Sequence, residues 1–335
     1  MEQIIKSYVL RHIKKYPKIE TIDIYKLLFQ ATHLAGHLIS DKAYEYLKYE
    51  ANKVSNKLQD NELYEYISNE VVRVNLYPYL NYYSLESLFD LFKKSSLKTQ
   101  SNYLLIKYKD LVKDMMTVEN RVLEYLVNDG IINKCIPSHS IIYKRHYNPS
   151  YRIALAKDLS VDLRVKKLQN YIDLLNEKNN RYIVSLEGRC ASGKTTLSKE
   201  LKNITLIHVD DFFDEKGLER LNYKDLKNLL EKIKKANIGD KITYKAFNCR
   251  NWSYYEKEIV VSKVVVVEGV YSYSEEIRSY FDKLVFSVIS KEEQLNRLQK
   301  RESEKYLQKY LNIWIPREEE YYKTFDFVSN ADILI

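Results

Sequence analysis

Apolar residues recur at helical spacing over much of the first 150 residues. This spacing predicts helices over residues 2–16, 21–39, 40–58, 84–91 and 98–127. Residues 71–76 alternate enough to predict one strand, whereas Pro137 and Pro149 predict an irregular stretch over residues 131–158. We therefore expect residues 1–150 to form a mostly α-helical domain.

The pattern changes from residue 181 onward, where short apolar runs alternate with helical stretches. The apolar runs predict strands over residues 182–186, 205–209, 264–267, 284–289 and 332–335. The stretches between them predict helices over residues 194–202, 223–236 and 291–309. Since a continuous β-branched run such as residues 264–267 suits a strand buried on both faces, the sheet should be parallel. The predicted fold of residues 181–335 is α/β, with a parallel sheet flanked by helices.

A length of 335 residues suits two domains. Residues 1–150 are the predicted accessory or substrate-specificity domain, and residues 181–335 are the predicted α/β domain. Residues 151–180 form a predicted connector that contains a basic helix from Ser160 to about Glu177.

Composition and charge restrict the possible functions only loosely. Hydrophobic residues make up 45% of the chain and charged residues 30%, which is ordinary for a soluble globular protein. The net charge of +8 permits a polyanionic partner such as RNA but does not favour one over a small phosphorylated ligand. The 31 tyrosines, with many Lys, Asn and Ile residues, indicate an AT-rich coding bias, so tyrosine clusters are weak signs of base stacking.

Cysteine usage and hydropathy predict a cytoplasmic location without membrane contact. The three cysteines, Cys135, Cys190 and Cys249, lack metal-type spacing and cannot all pair, which favours a reducing compartment. Apolar runs such as residues 264–267 are far too short to cross a membrane, and the N-terminus lacks the apolar stretch of a signal peptide. The sequence leaves the oligomeric state open.

The motif G-x-x-x-x-G-K-T follows the first predicted strand of the α/β domain and precedes a predicted helix. This order is that of a phosphate-binding loop, or P-loop, whose backbone N–H groups and helix N-terminus cradle phosphates. Lys194 is predicted to reach the β- and γ-phosphates of ATP, and the Thr195 hydroxyl to hold Mg²⁺. The predicted nucleotide-binding residues are Gly188, Arg189, Cys190, Ala191, Ser192, Gly193, Lys194, Thr195 and Thr196.

Acidic residues end two further predicted strands. Asp210 and Asp211 follow the second strand, at the edge of the sheet where α/β proteins bind ligands. Phosphoryl transfer needs a base for the acceptor hydroxyl and acidic groups for Mg²⁺, so Asp210 is the predicted base. Glu268 ends the run of four valines, which is the Walker B arrangement, and is the predicted second Mg²⁺ residue with Thr195.

Three motifs together resemble the uridine kinase family and, more broadly, its superfamily with phosphoribulokinase and pantothenate kinase. They are residues 188–196, residues 209–213 (V-D-D-F-F) and residues 267–271 (V-E-G-V-Y), and the resemblance covers about residues 181–335. It implies that Asp210 is the base and that Glu268 belongs to the Mg²⁺ and acceptor site. It also implies a lid whose arginines clamp the transferring phosphate. Arg297 and Arg301, one helical turn apart, are the predicted lid pair, with Lys300 and Arg317 in reserve.

The acceptor region departs from the family pattern, because residues 242–252 lack the family's histidine. The predicted substrate-binding residues are Asp211, Phe213, Tyr244, Phe247, Arg250 and Tyr271. The favoured function is ATP- and Mg²⁺-dependent phosphorylation of a small-molecule hydroxyl, above all that of a nucleoside such as uridine. The same chemistry on a sugar, a vitamin precursor or an RNA end is the second hypothesis. The third is an ATP-switched protein that binds RNA or another protein.

The first domain carries two histidine-containing features with open roles. His33 and His37 are expected on one helical face, where metal binding, substrate or interface contact, and a plain helix surface remain alternatives. A second group comprises His139, Arg145, His146 and Arg152, which flank a proline-containing connection. Because such loops often carry function, this connection is a candidate for closing over the acceptor pocket.

Overall fold

The computed structural model describes residues 2–54, 62–96, 138–214, 217–249 and 251–335. The chain forms two compact units, Met1–Leu159 and Ser160–Ile335. The helix predicted over residues 98–127 and the candidate residue Arg250 lie outside the described residues. Within the described ranges, every helix is too short or too polar to cross a lipid bilayer.

The first unit combines helices with a small antiparallel sheet. Its helices are α1 (Glu2–Lys15), α2 (Thr21–His33), α3 (Ala43–Lys53), α4 (Leu76–Leu80), α5 (Leu85–Ser96) and α6 (Ile141–Tyr147). Its strands, in sheet order, are β1 (Tyr64–Tyr66), β2 (Val71–Asn75) and β3 (Tyr151–Leu155). The strand predicted over residues 71–76 is therefore confirmed as β2, and all five of its residues are buried.

The prediction that residues 131–158 are irregular is wrong for their described part. Helix α6 fits between Pro137 and Pro149, and the Ser140 hydroxyl caps it by accepting a hydrogen bond from the backbone N–H of Tyr143 at 3.0 Å. Strand β3 follows and pairs antiparallel with β2. The predicted connector over residues 151–180 is thus divided between the units, because β3 belongs to the first unit and the basic helix to the second.

The second unit contains the predicted parallel sheet. Its five strands, in chain order, are β4 (Tyr182–Glu187), β5 (Ile204–His208), β10 (Val264–Glu268), β11 (Lys283–Phe286) and β12 (Ile333–Leu334). All pairings are parallel, and the strand order is β12-β11-β4-β10-β5. The ends of β4, β10 and β5 are therefore neighbours, which brings together residues that are distant in sequence.

Helices cover both faces of this sheet. They are α7 (Val161–Asn176), α8 (Lys194–Lys199), α9 (Tyr223–Lys235), α10 (Lys291–Arg301), α11 (Glu304–Lys309), α12 (Ile315–Lys323) and α13 (Phe327–Asn330). Val265 and Val267 of β10 pack into a core with α9, whereas Val264 and Val266 pack into a core with α7 and α8. The continuous valine run is explained by this burial on both faces.

Two local features differ from the predictions for the second unit. The helix predicted over residues 291–309 is interrupted at Glu302, because Ser303 starts the separate helix α11. Two hairpins were not predicted, β6 (Phe213–Asp214) with β7 (Gly217–Leu221), and β8 (Lys241–Asn248) with β9 (Ser253–Val260). In β8 the exposed Lys241, Thr243 and Lys245 alternate with partly or fully buried residues, whereas β9 is mostly exposed. The high charge content obscured this pattern in the sequence.

Candidate functional site

The P-loop connects the C-terminal end of β4 to the start of α8. Gly188 has a φ of +148°, and a Cβ atom on it would lie 2.5 Å from the carbonyl oxygen of Ser287. Gly193 has a φ of +98° immediately before α8. Because residues with a Cβ atom rarely adopt these conformations, both glycines of the sequence motif are required by the backbone.

The carbonyl oxygens of the P-loop are held by donors from several elements. The Lys194 ammonium donates to the carbonyl oxygens of Gly188 and Arg189. The Gln294 amide donates to Cys190 O, and Arg297 Nη1 donates to Ala191 O, both at 3.2 Å. Arg164 Nη2 and Ser287 Oγ both donate to Ser192 O, also at 3.2 Å. Since the C=O and N–H of a trans peptide point in opposite directions, the bonds to Ser192 O direct the Gly193 N–H to the side opposite Arg164 and Ser287.

Three glutamates also contact the P-loop, and none of them was predicted as a site residue. Glu187 accepts hydrogen bonds from the Gly188 N–H and from the hydroxyls of Tyr321 and Tyr322, each at 2.8 Å. Burial raises the pKa of the Glu187 carboxyl.

The other two glutamates lie on α12. Glu318 accepts a hydrogen bond from the Cys190 N–H at 3.0 Å, and Glu319 forms a salt bridge with Arg189 at 2.7 Å. Burial raises the pKa of Glu318. Helix α12 and Glu187 thus fix the first half of the loop, through contacts between residues about 130 positions apart.

The predicted magnesium residues meet at the ends of adjacent strands. Glu268 is in register with Leu186 of β4 and with His208 of β5. Its Oε1 accepts hydrogen bonds from the Thr195 hydroxyl at 3.0 Å and from His208 Nδ1 at 2.6 Å. Burial opposes the charge of Glu268, but His208, Lys194 and Thr195 outweigh it and hold its pKa below the usual value. In the part of the chain that the structure describes, no donor reaches Oε2 of Glu268.

These oxygens are suitable ligands for magnesium. Mg²⁺ prefers oxygen ligands and usually takes one or two from the protein, with the rest from phosphates and water. Thr195 and Glu268 supply such a pair, and the free Oε2 atom offers one coordination position. No cluster of three or more His, Cys, Asp or Glu side chains with metal-binding geometry occurs among the described residues.

The predicted base, Asp210, lies in the 3₁₀ turn Val209–Phe212 that follows β5. Its carboxylate is open to solvent, and no side-chain or backbone donor from the described residues binds it. The surrounding protein atoms and the negative charge of Glu268 raise the pKa of Asp210 to about 6. The group is therefore mostly ionised at pH 7 and free to accept a proton.

Three of the six predicted substrate residues, Asp211, Tyr244 and Phe247, contact protein in or beside the hairpin β8–β9. Asp211 Oδ2 accepts hydrogen bonds from the Tyr244 hydroxyl at 2.6 Å and from Lys257 Nζ at 2.8 Å. The Tyr244 ring stacks on Phe212, with centroids 5.5 Å apart and planes at 6°. Phe247 is only 2% exposed. Asp211 and Tyr244 thus anchor the hairpin to the strand end beside Asp210, whereas Phe247 packs against Trp252 and Tyr254 within the hairpin.

The remaining predicted substrate residues lie on separate elements. Phe213 starts β6 directly after the turn that carries Asp210. Tyr271 has a φ of +71°, and its ring packs edge-on against Tyr321 of α12 at 4.8 Å. Phe213 and Tyr271 therefore border the strand ends that also carry Asp210 and Glu268.

The predicted lid arginines have different surroundings. Arg297 contacts the P-loop through Ala191 O and also binds Glu293, with 2.8 Å between Nε and Oε1. Arg301 instead binds Glu302 and the Tyr310 hydroxyl, at 2.5 and 3.1 Å. The reserve candidates Lys300 and Arg317 are exposed. Of the predicted lid pair, Arg297 therefore binds the loop, whereas Arg301 binds Glu302 and Tyr310.

The histidines of the first unit do not form the arrangements that the sequence suggested. Helix α2 ends at His33, and His37 lies in a separate 3₁₀ turn, Gly36–Leu38, so the two residues do not share a helical face. The break occurs because Leu34 turns the chain with a φ of +59° and is buried. His139 is also buried, with its Nδ1 atom 2.9 Å from Asp23 Oδ1.

The other members of the second group are separated from His139. His146 Nε2 lies 2.7 Å from Lys18 Nζ, and Arg152 forms a salt bridge with Glu50 at 2.6 Å. Arg145 is exposed on α6. Each contact that the structure shows for these side chains is made within the first unit.

Comparisons with known proteins gave distant matches. No protein-family model matches the chain. Inorganic pyrophosphatase TTM2 of Arabidopsis thaliana is 24% identical over 155 residues, which cover 42% of this chain and 23% of that protein. The match therefore spans about a quarter of the length of this relative.

Two solved structures are similar over 53% of this chain. One is described as a "possible uridine kinase" from Bacillus stearothermophilus, with 19% identity, full coverage (100%) of that chain and a TM-score of 0.41. The other is described as a "putative fructose transport system kinase" from Silicibacter sp. TM1040, with 16% identity, 99% coverage and a TM-score of 0.36. The P-loop α/β fold of the second unit is established by its own sheet order and loop geometry.

Proposed function

We propose that the second unit is an ATP- and Mg²⁺-dependent kinase that transfers the γ-phosphate to a hydroxyl of a small molecule. The observation that carries the proposal is that three groups of residues lie together at the ends of adjacent strands. The P-loop follows β4, Glu268 ends β10 and hydrogen-bonds Thr195 at 3.0 Å, and Asp210 follows β5. Phosphate binding, metal binding and proton acceptance are the parts that phosphoryl transfer requires.

In this proposal the P-loop N–H groups, Lys194 and the N-terminus of α8 bind the phosphates of ATP. Thr195 and Glu268 hold Mg²⁺, which supplies positive charge that offsets the charge of the transferring phosphate. Lys194 now lies against loop carbonyls, within reach of the same concave site. Arg297, anchored by Ala191 O and Glu293, adds positive charge at the loop.

Asp210 is the proposed base for the acceptor hydroxyl. It accepts no hydrogen bond from the described residues, and a pKa of about 6 leaves it ionised at neutral pH. A carboxylate with these properties can bind a hydroxyl group and take its proton as the phosphate transfers. Hairpin β8–β9, anchored by Asp211, borders the acceptor position beside it.

A nucleoside such as uridine is the proposed acceptor, on the basis of the three motifs that resemble the uridine kinase family. The hairpin contacts restrict how it binds, because Tyr244 and Phe247 already pack against protein. Phe213, Tyr271 and the exposed Trp252 are candidate aromatic contacts for a base. The same chemistry on a sugar, a vitamin precursor or an RNA end remains the alternative.

The test is transfer of labelled γ-phosphate from ATP with Mg²⁺ to a panel of nucleosides, sugars, pantothenate and short RNAs. Asp210→Asn is the control, because it keeps the shape of the side chain but removes the base. Label in uridine or cytidine that Asp210→Asn abolishes is the expected result. Label only in another acceptor would support the kinase activity and would show that the acceptor is not a nucleoside. ATP binding with no labelled acceptor and slow hydrolysis would contradict the kinase and favour an ATP-switched binding protein.

A further inference from the structure

Arg164, near the start of α7, reaches the P-loop from outside the predicted motifs. Its side chain is 7% exposed, and Nη2 donates to Ser192 O at 3.2 Å and to Ser287 Oγ at 3.3 Å. The hydroxyl of Ser287 also donates to Ser192 O at 3.2 Å. A single loop carbonyl is therefore held by two donors, from α7 and from the segment after β11.

Arg164 and Arg297 flank the same turn of the loop. A Cβ atom on Gly193 would lie 3.4 Å from Nη1 of Arg164 and 3.7 Å from Nη1 of Arg297. Two guanidinium groups from different helices thus converge where the loop enters α8. Arg164 and Arg297 therefore lie together at this turn of the loop.

The charges of these two arginines are balanced differently. Arg297 has a carboxylate partner, since its Nε lies 2.8 Å from Glu293 Oε1. No carboxylate pairs with Arg164 among the residues that the structure describes, and its buried Nε atom has no hydrogen-bond partner there. A buried charge without a counter-ion is costly, so its presence beside an anion-binding loop indicates a role in binding an anion.

The hydrogen bond to Ser192 O also affects the direction of a ligand-binding group. Ser192 C=O and Gly193 N–H belong to one trans peptide and point in opposite directions. A donor that holds the carbonyl oxygen on the outer side therefore directs the Gly193 N–H to the concave side, where P-loops bind phosphate. The guanidinium adds positive charge within a few ångströms of the same peptide.

We propose that Arg164 is a positioning residue for the polyphosphate of the bound nucleotide. It fixes the Ser192–Gly193 peptide in its phosphate-binding orientation, and the phosphate chain is the counter-ion of its buried charge. This inference rests on the proposed function, since it assumes that the loop binds a nucleoside triphosphate. A purely structural role predicts that loss of Arg164 destabilises the nucleotide-free protein, whereas this proposal predicts that it does not.

The test compares Arg164→Met with the wild type by calorimetric titration with ATP and Mg²⁺ and by thermal unfolding. Met keeps much of the side-chain volume but removes the charge and the hydrogen bonds. We expect the Kd for ATP to rise about tenfold, because a charged hydrogen bond near the phosphates is lost. We expect the nucleotide-free protein to unfold at the same or a higher temperature, since Ser287 still binds Ser192 O and the uncompensated charge is gone.

Controls separate this inference from the proposed function. Lys178→Met removes an exposed positive charge and should leave the Kd within about twofold, because Lys178 lies beyond the C-terminal end of α7, whereas Arg164 lies near its start. Lys194→Ala should abolish ATP binding. A wild type that does not bind ATP would overturn the proposed function itself. ATP binding by the wild type and by Arg164→Met with equal Kd would overturn only the role of Arg164.

A second variant tests the role of Arg164 if Arg164→Met does not fold. Arg164→Lys keeps the positive charge but lacks the planar fork that reaches Ser192 and Ser287 together. We expect it to fold and to bind ATP several-fold more weakly than the wild type. An unchanged Kd for Arg164→Lys, or a loss of stability without a change in Kd for either variant, would contradict the proposal.

Discussion

Each unit of the protein contains a carboxylate paired with a histidine, and the two pairs have different surroundings. In the first unit, Asp23 Oδ1 lies 2.9 Å from His139 Nδ1. In the second, Glu268 Oε1 lies 2.6 Å from His208 Nδ1. The His139 side chain is 4% exposed, whereas that of His208 is 23% exposed.

The remaining bonding capacity of each carboxylate shows the difference most clearly. Asp23 accepts further hydrogen bonds from the Ser140 N–H and hydroxyl, both at 2.8 Å, and from the Glu20 N–H at 3.1 Å. Both of its oxygens are thus bound by the chain. Glu268 keeps Oε2 free of donors from the described residues, beside the P-loop. The same two chemical groups, a carboxylate and an imidazole, are therefore saturated by the chain in one unit and leave one carboxylate oxygen unbonded by the described residues in the other.

The largest expected effect is a loss of phosphate transfer in the second unit with little change in ATP binding. Asp210→Asn should lower phosphate transfer by about 100- to 10,000-fold, the usual contribution of a general base. The Kd for ATP should stay within about threefold, because the hydrogen bonds of Lys194 and Thr195 go to loop carbonyls and Glu268 rather than to Asp210. Transfer rates and calorimetric titration measure the two quantities. An equal loss of both would show that Asp210 supports the nucleotide site rather than the acceptor.

The next prediction compares the two carboxylates directly through stability. Asp23→Ala leaves the part-buried N–H groups of Ser140 and Glu20 and the buried Nδ1 of His139 without an acceptor. It should lower the free energy of unfolding by about 3 kcal/mol. Glu268→Gln should change it by less than about 1 kcal/mol, because the amide keeps an oxygen that can accept the hydrogen bonds from Thr195 and His208. Chemical denaturation measures both.

Activity should show the reverse order for the same variants. Glu268→Gln should lose Mg²⁺-dependent transfer, whereas Asp23→Ala should retain it at temperatures where the protein is folded. A catalytic loss in folded Asp23→Ala would place the first unit in the active site. A stability loss of about 3 kcal/mol in Glu268→Gln would remove the distinction between the two pairs.

Acidification should act on the two units with opposite signs. Burial lowers the pKa of His12 to about 2 and that of His139 to about 4, below the value of about 6.5 in an unfolded chain. Their contribution to stability is full above pH 6.5 and is lost as the pH falls below it, by about 2 kcal/mol for each histidine at pH 5. The raised pKa of Asp210, about 6, has the opposite effect, since its protonation favours the folded second unit as the pH falls.

Hydrogen exchange can measure the two units separately. Between pH 7 and pH 5, and after correction for intrinsic rates, protection of the β3 amides should fall while protection of the β10 amides should be retained. The His139→Gln variant should lose part of this pH dependence. Equal loss of protection in both strands would show that other groups govern the acid response.

The elements that sequence reasoning identified are those with a strong local pattern. The P-loop glycines, the valine run of β10 and the acidic strand ends are each readable within a few residues, and the parallel sheet places them together. Helix α6 was missed because it fits between two prolines, and β8–β9 because its exposed face is highly charged.

The contacts that shape the loop could not be read from the sequence. Arg164, Glu187 and Glu318 bind partners that are 28, 134–135 and 128 positions away, respectively. An isolated Arg in a basic helix, or a Glu in an acidic helix, looks like an ordinary surface residue. Their burial follows only from the packing of α7 and α12 against the loop, which no local pattern encodes.

The smallest expected effect concerns the two predicted lid arginines. Arg297→Ala should lower kcat/KM for ATP by about tenfold, because it removes a hydrogen bond to Ala191 O and a positive charge at the loop. Arg301→Ala should change it by less than about threefold, since Arg301 binds Glu302 and Tyr310. Steady-state kinetics at varied ATP concentration provide the comparison. A larger loss in Arg301→Ala would mean that α10 and α11 rearrange when substrates bind, so that Arg301 leaves Tyr310 and reaches the phosphates during turnover.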